Sequence, residues 1–239
     1  FADIVKIFRK FIIKNGITVY DSEKHTGLLR HIYLRLAEAT GEVMVCAVIN
    51  GEDLPHKNEL IEKLTEIPSV KSIVLNINRD RTNVILGKEC VTVWGNDCIY
   101  DVLCGVKVRL SPLSFYQVNH DMAQQLYEKA AEYACLSGKE TVLDMYCGTG
   151  TIGLSMEKKA KRIIGAEIVP EAVLDAKRNA LENGIENAEF ICADAGEAAQ
   201  ELSSRGIKPD VVLLDPPRKG CSEMLLAEIV KMSPERIVY

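Results

Sequence analysis

The chain has 239 residues, 47% hydrophobic and 26% charged, enough for two modest domains with buried cores. No apolar run approaches the roughly 20 residues of a membrane-spanning helix, and the cytoplasm is the expected location. The net charge of −5 is uneven: residues 1–110 carry 15 Lys+Arg against 14 Asp+Glu (+1), and the remainder 14 against 20 (−6), which excludes a strongly basic surface.

Apolar positions Ile4, Val5, Ile7, Phe8, Phe11 and Ile12 predict an amphipathic helix over 2–14 rather than a signal peptide, because no continuous apolar core or small-residue cleavage site follows. An opening at Phe rather than Met leads us to expect an upstream N-terminus. Strands are predicted at 28–36, 42–49 and 70–77, a helix at 57–66 and a polar turn at 78–83. Short strands follow at 91–94, 99–103 and 106–110, so residues 1–113 read as an α+β domain of their own. Trp94 is expected in that domain's core. Arg30 and His31 are expected on the solvent face of a strand, and Arg79 and Arg81 beside a solvated turn, with RNA contact as the alternative for all four.

From Ser114 the rhythm changes. Helices are predicted at 119–135, 153–158, 170–183, 196–203 and 222–232. They alternate with strands at 141–146, 162–168, 189–192 and 211–215 and one opening at Arg236. This alternation predicts a doubly wound α/β parallel sheet over 114–239. The eight cysteines, at 46, 90, 98, 104, 135, 147, 192 and 221, are scattered without a Cys-x2-Cys. Reduced thiols and no metal site are expected.

Four strand ends carry candidate chemistry. Val142–Met145 runs into Gly148-x-Gly150-x-x-Gly153, where glycines allow a sharp turn and close approach of a ligand. The same spacing serves dinucleotide enzymes, and a tight turn without ligand has the same look. Glu167 ends the next strand, where a carboxylate can accept from both ribose hydroxyls. Asp194 ends the third; it suits an adenine amino group, or it caps the following helix. Asp215-Pro-Pro-Arg-Lys-Gly220 ends the fourth, where prolines stop the ladder and form a rigid wall suited to a flat ring.

Four stretches taken in order resemble the bacterial RNA uracil-5-methyltransferases, and most closely the 23S rRNA enzymes. They are Gly27-Leu-Leu-Arg-His31, Ser114-Phe-Tyr-Gln-Val-Asn119, Leu143-Asp-Met-Tyr-Cys-Gly-Thr-Gly-Thr151 and Asp215–Gly220. The resemblance implies a class I, Rossmann-like S-adenosylmethionine domain, incomplete at its C-terminus, behind the small α+β domain. It implies cofactor contacts by Gln117, Tyr146, Gly148, Gly150, Thr151, Glu167, Asp194 and Asp215. Gln117, Asp215, Pro216 and Arg218 would face the target base, Gln117 because an amide offers both donor and acceptor. Phe115 and Tyr116 are candidates for an aromatic RNA surface, with core packing the alternative for Phe115.

The implied chemistry is covalent. A cysteine thiolate adds to C6 of uridine, C5 takes the methyl group, and a base removes the C5 proton. The base must leave its stack to react. The family's nucleophile stands in a Ser-Cys-Asn-Pro motif after a strand like Arg236–Tyr239, and none of the eight cysteines stands in one. We therefore expect no catalytic residue within these residues, and a piece that binds cofactor without turnover. The family's N-terminal RNA-binding barrel, and the iron–sulfur cluster of some full-length members, are likewise expected outside it. RNA is the expected partner, with no protein partner. The alternatives are methylation of another RNA base such as cytosine, a non-catalytic RNA-binding module and, more distantly, an NAD-dependent oxidoreductase.

Overall fold

The computed structural model describes all residues from Phe1 to Tyr239. In the first unit, Phe1–Asp101 with Leu110–Leu113, four strands form one sheet in chain order: β1 (Leu29–Leu36), β2 (Val43–Ile49), β3 (Val70–Ile77) and β4 (Glu89–Gly95). Strand β2 is interior to the sheet, and its unbroken apolar run Val-Met-Val-Cys-Ala-Val-Ile is buried at every position, the pattern of a strand covered on both faces. It pairs in parallel with β3 through the crossover helix α2 (Lys57–Thr65), and the outer pairings are antiparallel. Helix α1 (Ala2–Asn15) lays Ile4, Phe8 and Phe11 on the same face that receives Leu60 and Leu64 of α2. Trp94 departs from expectation: it lies on the edge strand β4, and 39% of its surface is exposed. One flank of an edge strand has no neighbour to bury it.

A separate hairpin, β5 (Ile99–Leu103) and β6 (Val106–Leu110), follows. Its tip, Val102–Arg109, clusters with Ser114–Tyr239 to make the second unit. There the elements alternate: α3 (His120–Ala134), β7 (Thr141–Met145), α4 (Thr151–Ser155), β8 (Arg162–Glu167), α5 (Pro170–Glu182), β9 (Ala188–Cys192), α6 (Ala195–Ser204), β10 (Val211–Leu214), α7 (Glu223–Met232) and β11 (Arg236–Val238). The strands form one parallel sheet in the order β11-β10-β7-β8-β9. Successive side chains point to opposite faces. Leu143, Met145, Ile164, Val212 and Leu214 pack under α6 and α7, while Val142, Ile163, Val211 and Leu213 meet Ala134, Met156 and Ala160 on the other face. The order of connection reverses between β7 and β10, and an open sheet offers its ligand crevice at the carboxyl ends of such strands. Helix α4 begins two residues earlier than the expected Gly153 and gives way to a 3-10 turn, Glu157–Lys159.

Helix α5 holds the hairpin through three residues spaced by four. Asn183, just past its end, accepts from the Lys107 amide (2.9 Å) and donates to the Lys107 carbonyl (2.7 Å). Asn179 accepts from the Arg109 amide at 2.8 Å, and the Arg109 guanidinium donates to Asp175 at 2.7 Å. The two ionic side chains are only 7% and 4% exposed. Removing one member of a buried pair strands the other's charge in poor solvent. Asp175→Ala is therefore expected to cost about 3 kcal/mol or more in urea unfolding. Arg205→Ala, from the exposed pair with Glu201, should cost under about 1 kcal/mol.

Candidate functional site

Strand β7 delivers the chain to the crevice through a strained turn. Tyr146 adopts φ 64°, a left-handed conformation unusual for a residue with a side chain. Gly148 (φ 56°) and Gly150 (φ 80°) follow, with different surroundings. A Cβ on Gly148 would meet nothing within 4 Å, so the loop is open to a ligand there. A Cβ on Gly150 would lie 2.9 Å from the Phe190 ring, so that glycine packs inward. The loop is tied down from behind. The Gly153 amide donates to Asp144 at 2.9 Å, and buried Asn179 donates its side-chain amide to the Thr149 carbonyl at 3.0 Å. Asp144 is 1% exposed, and burial pushes its carboxyl up to about 7. The Gly153 bond opposes that shift, and the charges of Asp215 and Glu167 add to it.

Glu167 closes the loop from β8. One carboxylate oxygen accepts from the Gly148 amide at 3.1 Å and the other from the Val169 amide at 2.9 Å. Two amide donors fix its direction, and each oxygen keeps a second lone pair for a ligand. Asp194 caps α6 by accepting from the Gly196 amide at 2.9 Å, the structural alternative that the sequence left open; its other oxygen takes no part in that bond. Asp215 follows β10 and is exposed to the crevice.

Gln117, Tyr146, Gly148, Thr151 and Asp215 line one small cavity of about 40 Å³, with Phe115 and Tyr116 at its side. Gln117 lies in the irregular segment before α3, which stops at Asn119, whose side chain caps that helix by accepting from the Met122 amide. Phe115 is 74% exposed, so its side chain belongs to the surface and not to the core. Gly150, Glu167 and Asp194 stand behind or beside this cavity. Pro216 is half-buried and Arg218 exposed, and neither lines it. A second cavity, of about 140 Å³, opens between α3 and the ends of β10 and β11 and shares Asp144 and Asp215.

Three residues of the site were not singled out from sequence. Asp144 stands inside an apolar strand, a signal that could have been used. Tyr127 is 5% exposed, lines both cavities, and its hydroxyl lies 3.4 Å from the Thr151 hydroxyl. Nothing in the pattern of α3 distinguishes it from a core position. Asn179 looks like any polar helix residue until its two partners are known. The thiol nearest the loop, Cys147, is 5% exposed, and burial holds its pKa well above the ordinary value, with Asp144 and Glu167 adding to the effect. It is not an activated nucleophile. The Tyr146 phenol is likewise pushed up to about 12 by burial and by its neighbour Cys221.

With this geometry in view, the relatives are informative. Residues 136–230 match a family model described as a methyltransferase domain. The match includes the glycine loop. A solved structure, the Pyrococcus abyssi tRNA (uracil-54, C5)-methyltransferase in complex with S-adenosyl-L-homocysteine, superposes with a TM-score of 0.82 at 30% identity. It covers 98% of this chain and 55% of that one. The second unit thus has the class I, Rossmann-like fold of S-adenosylmethionine-dependent methyltransferases. The chain as a whole is related to bacterial proteins described as uncharacterized RNA methyltransferases. It is 49% identical over 237 residues to one from Clostridium tetani and 47% identical to one from Halalkalibacterium halodurans. Each alignment takes in 99% of this chain and 52% of the relative, so the chain spans about half the length of those proteins. No helix is long and apolar enough to cross a membrane.

The buried carboxylate makes stability depend on pH in a defined direction. Because the folded value of Asp144, about 7, exceeds the ordinary 3.8, the folded state holds the proton more tightly. Stability then falls as pH rises between those values and stays low above them, where the folded protein must carry a buried charge. Asp144→Asn keeps an acceptor for Gly153 and removes that loss. The gap in urea midpoint between variant and parent should shift in favour of the variant from pH 5 to pH 8; parallel pH profiles would contradict this.

Proposed function

We propose that this chain is the cofactor-binding portion of an S-adenosylmethionine-dependent RNA methyltransferase acting on C5 of uridine. The observation that carries the reading is the shared cavity. It brings an amide able to read a base edge, Gln117, against the glycine loop and Asp215. The cofactor fits the residues present. Gly148 leaves open space, and the Glu167 carboxylate, fixed by two amide donors, keeps lone pairs that a ribose diol could use. Asp194 has a carboxylate oxygen to spare for an adenine amino group. When bound, S-adenosylmethionine supplies an electrophilic methyl group. The chain's own residues orient it: Glu167 and Asp194 hold the nucleoside end, Tyr146 and Thr151 the loop side, and Asp215 the edge facing the base.

Acceptance of a flipped uracil falls to Gln117 and Asp215, with Pro216 and Arg218 on the rim and Phe115 and Tyr116 as exposed aromatic surface. The high thiol pKa of Cys147 and the motif resemblance together lead us to assign neither the attacking cysteine nor the base to these residues. By that resemblance 23S rRNA is the favoured substrate. Uridine C5 as the target is also supported by the name of the Pyrococcus relative, whose substrate is a tRNA.

Calorimetric titration with S-adenosylhomocysteine, with NAD in parallel, tests the cofactor half. Saturable binding of the former alone is expected, weakened about tenfold by Glu167→Ala, which loses charged hydrogen bonds. Binding of NAD alone would overturn the reading. The base is tested on the longer protein by nucleoside analysis after methyl transfer to 23S rRNA and tRNA. 5-Methyluridine is expected, and 5-methylcytidine would replace the proposal with its alternative.

A further inference from the structure

The loop between β3 and β4 in the first unit is braced far more heavily than a solvated turn requires. From β1, Arg30 sets its guanidinium 4.3 Å from the centre of the Tyr20 ring. It donates to the carbonyls of Asn78 (2.7 Å), Asp80 (2.9 Å) and Thr82 (3.2 Å). From β3, Asn76, wholly buried, donates to the carbonyls of Gly87 (2.7 Å) and Glu89 (3.1 Å) and accepts from the Gly87 amide at 2.6 Å. Asn78, 2% exposed, donates to the carbonyls of Val84 (2.8 Å) and Ile85 (3.0 Å). A Cβ at Gly87 would lie 1.9 Å from the Ile77 carbonyl oxygen, so the close approach needs glycine. Main-chain groups that water would satisfy in an ordinary surface turn are here satisfied by three side chains, which leaves the loop one shape.

What this frame presents outward has little structural use. Arg79, Arg81 and Lys88 are exposed, as are Val84 (61%) and Ile85 (47%). Arg79 reaches Glu52 at 3.4 Å, but the side chains are 53% and 84% exposed, and such a pair contributes little. We propose that residues 79–88 form a preordered RNA-contact loop. Arg79, Arg81 and Lys88 engage phosphates, and Val84 and Ile85 rest against sugar or base faces of an unpaired segment. This rests on the RNA-modifying reading and adds the surface through which the first unit takes part. A loop already in its bound shape avoids the entropy of ordering on association. Charge favours the assignment. Residues 111–239 carry −6, whereas the loop holds three cations against one carboxylate, Asp80.

The test is fluorescence anisotropy of a labelled, uridine-containing stem-loop RNA over a salt series, with S-adenosylhomocysteine affinity measured on the same samples. Arg79→Ala/Arg81→Ala changes only exposed side chains, and Arg9→Ala/Lys10→Ala on α1 removes equal charge elsewhere. The loop variant is expected to bind RNA about tenfold more weakly. Its log–log salt slope should be shallower by roughly 1.4, for two single-strand phosphate contacts. The α1 variant should change affinity less than twofold. A loop variant indistinguishable from the α1 variant, or a parent chain that binds S-adenosylhomocysteine but no RNA, would overturn the proposal. RNA binding lost with the loop while the cofactor analogue fails to bind would uphold the loop and count against the methyltransferase reading.

Discussion

The crevice depends on how a strained, glycine-containing loop is kept in place at the end of β7. Tyr146 is held with a positive φ, a conformation that costs of order 1 kcal/mol or more and persists only when its surroundings enforce it. Two buried contacts do so: the Gly153 amide on Asp144 and the Asn179 amide on the Thr149 carbonyl. The same Asn179 accepts from the Arg109 backbone, so the helix that braces the loop also grips the hairpin tip. Loop, helix and hairpin form one hydrogen-bonded unit, and the ligand-facing atoms of Glu167 and Asp215 are positioned relative to it.

Electrostatics sets the second constraint. Asp144, Glu167 and Asp215 lie close enough that the charges of the last two help raise the pKa of the first. Such a concentration of carboxylates repels a phosphate backbone and suits a cationic ligand, as a sulfonium is. The proposed division of labour follows: the second unit takes the cofactor and a single base, and contacts to the RNA backbone fall to cations elsewhere, including those of the braced loop.

Much of the second unit was legible in the sequence because its strands are short apolar runs closed by Gly, Asp, Glu or Pro. The β8 and β10 predictions each miss by a single residue at one end. Helix α4 was misjudged because Gly153 looks like a helix opener, whereas the turn ends at Gly150 and the helix starts at Thr151. Gln117, Tyr146, Thr151 and Asp215 were identified from motifs, and they do share a cavity. What could not be read were partners far along the chain. Arg30 was expected to face solvent, yet its carbonyl acceptors lie about fifty residues away. Trp94 was expected in the core because tryptophan is large and apolar, but one-dimensional patterning does not show which strand becomes an edge.

The decisive measurement is a crystal structure of the chain with S-adenosylhomocysteine. The ligand is expected at the carboxyl ends of β7 and β10, with both ribose hydroxyls donating to the Glu167 carboxylate and the sulfur facing the cavity shared by Gln117 and Asp215. A ligand bound away from the glycine loop, or one whose ribose bypasses Glu167, would contradict this.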